Sequence, residues 1–572
     1  MIVVRLLLLA LSLYGLSRLT MRRLKLPVEG ALPLTMVSIA TTVTLAGMIN
    51  LLSEAVWLIW AAGLVLAVRS LWRRESLRAV LTPGMCFFAA GAVGLALLVR
   101  GARFYQYDDF GHWALVVRIL FARDALPTFR DICLAHVNYP PGSACWVYFF
   151  CRLCGSESED AMMFAQALMM LACFLPLMLL ARRRPVTSFL TMAAVACYCL
   201  LASGTFLFSL YVDHLLPVVS AAGVLLVLSN LRQPRRAALL ALPFSVYAYL
   251  IKNSGIFFSL LFSLLLVGIV LWNRRSRPVA RRDWQCVAAV CVSPAVIVYL
   301  WNQHTSMVFQ NASTSKHAMR PWQLLSTFLE KTSGEIGEIS SKFFASLAGV
   351  SVLPLLCLVL MAFCLWGVSA RRHALYRPGL AALCGSAAVF AVYLVSLLLM
   401  YLFSMPTGEA LVLASMDRYM STIHLWMVFM TAATLLALLD ACPPLSLRQQ
   451  LASASAAVLA ACSLLYFSGF PDPFVARFDQ EFQQTERAKI EAAIQAQSVP
   501  SGQRYALAGM INGRLPFDIF QYLLSPAYIT LNLEEWHDVD AIILYEPKPL
   551  EMVYIEETVL PSGEAPVIYD CR

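Results

Sequence analysis

Long apolar runs alternate along this chain with short clusters of basic residues. Ile256 to Trp272 and Val352 to Val368 are two such runs. Their continuity suits helices that cross a bilayer, because a membrane barrel would alternate apolar and polar positions. The pattern predicts helices at 1–20, 29–52, 54–71, 78–99, 160–181, 186–208, 213–231, 236–251, 255–272, 285–301, 346–369, 379–403, 419–440 and 450–470. That is about fourteen spans. The first resembles a signal sequence, but no small-residue cleavage site precedes Met21-Arg22-Arg23-Leu24-Lys25, so it reads as a retained helix. Basic clusters at Arg22 to Lys25, Arg69 to Arg78, Arg182 to Arg184, Arg232 to Arg236, Arg274 to Arg282 and Arg371-Arg372 mark cytoplasmic connections. The connections between them then face outward.

Three of these outer connections are long: 100–142, 302–345 and 404–418. The second contains a helix-like stretch from Pro321 to Leu329. After Gly469 the composition changes. Pro471-Asp472-Pro473 ends the last span, Arg477 to Gln497 and Phe517 to Leu524 read as helices, and Arg504 to Ala508 and Ala541 to Tyr545 read as strands. The expected architecture is an all-α polytopic membrane protein with a small C-terminal α/β extracytoplasmic domain. Residues 1–78 supply additional N-terminal transmembrane helices, 79–470 the membrane core, and 471–572 the outer domain.

Composition agrees with a membrane setting. The 572 residues are 60% hydrophobic and only 13% charged, against about 25% charged in an ordinary soluble domain, and mean hydropathy is +0.71. The formal net charge of +9 sits in the cytoplasmic clusters and forms no basic groove, which argues against nucleic acid. Most of the 16 cysteines lie inside apolar runs and read as packing residues, as does the Cys151/Cys154 pair, which has no second ligand pair at zinc spacing. Cys133 and Cys145 flank the first outer connection and can pair as a disulfide if it meets an oxidising compartment. Few lysines and many arginines suggest a bacterial inner membrane with the outer connections in the periplasm or exterior.

Candidate chemistry concentrates between Tyr105 and Gly142. Asp108 and Asp109 are adjacent carboxylates, so one tends to keep its proton unless a cation lies nearby. A divalent metal between them is left open. A carboxylate poised there suits a general base for an acceptor hydroxyl. His112 opens an apparently amphipathic segment to Asp124, expected to lie on the membrane surface. His136 and Tyr139-Pro140-Pro141-Gly142 follow, the prolines forcing an extended turn before a helix. Elsewhere Asp213, Lys252, Lys316, His317, Arg320, Arg418 and Tyr419 all fall at or beyond predicted outer helix ends. Cations gathered on one face with two carboxylates are what a lipid phosphate and a sugar would require.

Asp108-Asp109-Phe110-Gly111-His112-Trp113, His136 to Gly142, Asp213, Lys252-Asn253-Ser254-Gly255 and Asp417-Arg418-Tyr419 together resemble the integral-membrane glycosyltransferases of the GT-C type, over roughly residues 80 to 440. The resemblance implies a polyprenyl-phosphate-linked sugar as donor, a glycan, lipid or protein acceptor, and inverting displacement. It also implies Asp108 as base with Asp109 beside it, and Lys252 and Arg418, with Lys316 or Arg320, on the phosphate. Two features depart from the family: the acidic connection follows the fourth predicted helix where the first is usual, and the second acid is Asp109 where glutamate is common. A transporter or lipid flippase using the Asp pair as an ion site, and a ligase or polymerase of lipid-diphosphate oligosaccharides, are the competing readings.

Overall fold

The apolar runs fold as helices because a bilayer offers no partner for backbone N–H and C=O groups, and only the helix satisfies them within the segment. The computed structural model describes residues 2–571 except 132–133, 135, 181–182, 202–206, 276–278, 310–320, 370–375, 441–445, 468–484, 510–513, 546 and 560–566. Every predicted span coincides with a helix: α1 (Ile2–Leu24), α2 (Val28–Gly47), α3 (Leu52–Trp72), α4 (Pro83–Val99), α7 (Glu159–Phe174), α8 (Pro185–Leu201), α9 (Leu215–Leu228), α10 (Pro234–Ile251), α11 (Ile256–Arg274), α12 (Arg281–Val308), α15 (Val352–Ser369), α16 (Tyr376–Phe403), α18 (Met416–Asp440) and α19 (Leu447–Phe467).

Not all of them qualify as crossings. Among the described residues eight helices are long and apolar enough to cross a membrane, or nine if Ser333–Val350 and Val352–Val368, bent by 52°, form one span. Helices α4, α8 and α9 have 17, 17 and 14 residues. At 1.5 Å per residue they reach roughly 21–26 Å, short of a hydrocarbon core of about 30 Å.

Two local expectations are corrected. First, residues 112–124 do not form a helix lying on a surface. A π-turn, Asp109–Trp113, leads into α5 (Ala114–Arg123), whose Leu115, Val116, Val117, Ile119 and Leu120 are all buried. The turn at Pro140-Pro141 opens α6 (Gly142–Cys154), the helix expected after it, which is buried on nearly every side. It is too short, and too interrupted by Arg152, to read as a span. Second, residues 302–345 are mostly helix: α12 continues to Val308, and α13 (Pro321–Leu329) and α14 (Ser333–Val350) follow, the latter started by a Thr332/Glu335 capping box, while 404–418 holds the short α17 (Thr407–Leu411). Cys145, Cys151 and Cys154 are free thiols buried in α6. Cys133 lies outside the described residues.

The C-terminal part is a parallel four-stranded sheet, order β2-β1-β3-β4 (Tyr528–Thr530, Arg504–Ala508, Ala541–Leu544, Val567–Asp570). It is flanked by α20 (Glu486–Ala496) and α21 (Leu515–Leu524). Strands β2 and β4 join the two strands read from the sequence. This unit packs directly on the connection 100–142. Arg487 of α20 forks onto Glu159 at the start of α7, at 2.9 and 2.7 Å, while Tyr522 of α21 donates to the same carboxylate at 3.0 Å and the Phe104 amide at 2.6 Å. Arg118 of α5 stacks 4.3 Å above the Tyr522 ring. All four acceptor directions of Glu159 are thereby used by groups from three segments, which is how a carboxylate tolerates burial.

Candidate functional site

Asp108 and Asp109 are adjacent in sequence but face different ways. Arg418, in the first turn of α18, donates through Nη1 to Asp108 Oδ2, joining positions 310 residues apart. The Asp108 backbone amide points at the Tyr211 hydroxyl, 3.3 Å away. Asp109 is fully buried, and its Oδ1 accepts from the Leu210 amide at 3.0 Å and from Ser209 Oγ at 3.3 Å. Burial, reinforced by the neighbouring Asp108 charge, lifts its pKa well above the carboxylate range despite those two hydrogen bonds. Asp109 is therefore pushed toward its neutral form and pins the 209–211 segment, and Asp108 is the carboxylate presented to the cations.

The same segment delivers Asp213. Its Oδ1 accepts from Lys252 Nζ at 2.9 Å, its Oδ2 lies 3.4 Å from Arg418 Nε, and its carbonyl accepts from Thr422 of α18 at 3.2 Å. Lys252 sits where α10 ends, in an extended conformation (φ −163°, ψ 149°) that breaks the helix. A short turn, Asn253–Gly255, then reverses the chain into α11. The turn is tight enough to need glycine: a Cβ on Gly255 would stand 1.8 Å from the Ala248 carbonyl oxygen. Gly255→Ala is expected to destabilise the protein by about 1–3 kcal/mol through overpacking and to displace Lys252 from Asp213. Thermal unfolding in a fixed detergent checks it, and an unchanged midpoint would refute the requirement.

Aromatic rings enclose the charges. Lys252 Nζ lies 5.1 Å from the Tyr419 ring centroid and 5.9 Å from that of Tyr139, and the Arg418 guanidinium 5.2 Å from Tyr211 and 5.8 Å from Tyr419. Ring faces at this range favour cations. Tyr139 continues into a second group, stacked on His136 at 4.7 Å and edge-on to His112 at 5.5 Å. His112 is buried, and burial assisted by the Lys252 charge pushes its pKa down to about 3, so the ring is neutral. These residues line a concavity with Val116, Pro127, Leu134 and Trp301.

Of the residues singled out in the sequence, Asp108, Asp213, Lys252, Arg418, Tyr139 and Tyr419 meet in one cluster, with His112 and His136 against its Tyr139 side. Asp109 supports it from behind. Lys316, His317 and Arg320 lie outside the described residues. Tyr211 and Ser209 were missed, although their place just before Asp213-His214 was a usable signal. Asp518 and Tyr107 were missed as well, and nothing near Asp518 in the chain points to this site. A metal between Asp108 and Asp109 finds no support in this donor set: the two carboxylates diverge, and among the described residues no three His, Cys, Asp or Glu side chains are placed to hold an ion.

Apart from Asp109, which faces away, the cluster pairs two carboxylates, Asp108 and Asp213, with two cations, Arg418 and Lys252. The chain matches no protein-family model and no curated protein, and the chemistry of this site is therefore drawn from its own geometry.

Proposed function

We propose that the protein is an integral-membrane transferase of the GT-C type, moving a sugar from a polyprenyl-phosphate donor to an acceptor hydroxyl on the extracytoplasmic face, with the C-terminal sheet domain on that same side. One observation carries this reading: the Arg418 fork touches Asp108 with one nitrogen and faces Asp213 with another, while Lys252 closes the other side of Asp213.

In the reaction the acceptor oxygen attacks the anomeric carbon as its proton passes to Asp108. The bond from that carbon to the phosphate oxygen breaks, and its electron pair leaves with the lipid phosphate. Negative charge thus moves from Asp108 to the leaving group, from one side of Arg418 toward the other. A guanidinium shared between base and leaving group stabilises the transition state in which both carry partial charge, which is the differential binding that catalysis requires. Lys252 adds a second cation for the phosphate as it gains charge. Direct displacement predicts inversion.

Farnesyl phosphate, a short polyprenyl monophosphate, provides the test. Saturable binding to the purified protein in nanodiscs is expected, and Arg418→Gln should weaken it about tenfold or more, the scale of a charge-assisted hydrogen bond. Equal affinity in a folded Arg418→Gln variant would remove Arg418 from the phosphate site.

A further inference from the structure

The C-terminal domain reaches the site through one side chain. Asp518, on α21, is 1% exposed, and its Oδ1 accepts from Arg514 Nε at 3.2 Å. Its Oδ2 has no hydrogen-bond partner among the described residues. That oxygen is pressed against the π-turn that follows Asp108: a Cβ on Gly111 would lie 3.3 Å from it. Tyr107, immediately before Asp108, interacts with the same carboxylate through its hydroxyl.

We propose that Asp518 is a positioning residue of this site, through which the C-terminal domain holds Tyr107 and the 109–113 turn and so sets the place of Asp108. The inference rests on the reading of Asp108 as the reacting carboxylate. It makes the sheet domain a wall of the site.

The charged surroundings of Asp518 make the contact sensitive to protons. Arg514 faces it from its own helix, and Tyr107 and Asp108 from the connection 100–142. In the adjoining turn burial pushes Asp109 toward its neutral form and holds His112 neutral. One helical turn on, Arg118 of α5 and Arg487 of α20 are engaged with Glu159 and, for Arg487, Glu491. Tyr528 of β2 is bonded to Glu535. Burial, only partly offset by Arg514, brings the Asp518 pKa up to about 6. An acid whose pKa is raised in the docked state favours docking while protonated and opposes it once ionised, so the contact tightens as pH falls through 6 toward the ordinary carboxylate range.

Hydrogen exchange on the intact protein in nanodiscs tests this, with rates corrected for the intrinsic pH dependence of amide exchange. Protection of residues 105–113 should rise by about tenfold from pH 7 to pH 5. Asp518→Asn should hold the same protection at both values. Arg514→Gln, at a half-exposed position that tolerates substitution, should move the midpoint to higher pH by removing the cation that holds the carboxylate down. Protection that ignores pH in the unmodified protein, a pH response that survives in Asp518→Asn, or an unmoved midpoint in Arg514→Gln would each overturn the proposal. Sugar transfer plays no part in the measurement, so a failure here is separate from a failure of the transferase assignment.

Discussion

Asp108→Asn is expected to lower sugar transfer by about 10²–10⁴-fold, the range contributed by a positioned general base, while leaving the fold intact. The amide is the same size as the carboxylate, and the 109–113 turn is held independently by Asp109 on Leu210 and by Asp518 against Gly111. What it loses is the capacity to take a proton. A panel of radiolabelled polyprenyl-phosphate sugars, assayed with matched thermal unfolding, measures the loss. A second readout separates a base from a bystander. In the resting protein Asp108 competes with the donor phosphate for Arg418, so the asparagine variant should bind farnesyl phosphate more tightly than the unmodified protein even as transfer fails. Unchanged turnover in a folded Asp108→Asn variant would end its assignment as base.

The second large effect concerns stability. Lys252 and Asp213 are 4% and 3% exposed at their side chains and 2.9 Å apart. Lys252→Met removes one of two cations from a balanced cluster and leaves Asp108 and Asp213 sharing Arg418 alone. Breaking one side of a buried pair destabilises by about 3–5 kcal/mol, because the remaining charge cannot be rehydrated. A marked fall in the unfolding midpoint is therefore expected. The double variant Lys252→Met/Asp213→Asn should recover most of it, since the unpaired carboxylate is gone, yet should still bind farnesyl phosphate poorly. Recovery of stability without recovery of binding assigns two roles to Lys252: counter-ion in the resting state and phosphate ligand in the loaded one. A Lys252→Met protein as stable as the original would contradict the buried pair.

If uptake or scrambling of a lipid-linked substrate by the protein in liposomes were found without any covalent product, the transporter or flippase reading would replace the transferase. The helix pair at 333–368, bent by 52°, is the part of the fold that such a reading would turn to first.

What could be read in advance follows from the range of the forces involved. Apolar runs and basic clusters are local signals, and the fourteen predicted segments each fold as a helix because the backbone of an apolar segment has no alternative in lipid. The connection 100–142 was legible for a similar reason: two carboxylates, two histidines and a Pro-Pro-Gly turn are unusual next to a membrane wherever they end up. Residues 112–124 show where local signals stop. Spacing reveals that one face of a helix is apolar, but α21 of the C-terminal domain, some 400 residues away, covers another side of α5, and no window around Leu115 contains that fact. α6 is the converse: the Pro-Pro-Gly turn announces its start, but a short segment with an arginine does not reveal that α2, α5 and α7 enclose it.

The sequence by itself determined that this is a helical membrane protein, that an α/β module follows the helices, and which residue types the connection 100–142 can offer. Only the tertiary structure decided how they are used. Asp108 and Asp109, indistinguishable as neighbours in the chain, became a carboxylate paired to Arg418 and a buried acid holding Leu210, because successive side chains on a turn point into different surroundings. Arg418 met Asp108 across 310 residues, and Asp518 met Gly111 across a domain boundary. Such pairings depend on how helices pack against one another, and packing is set by the whole set of surfaces at once.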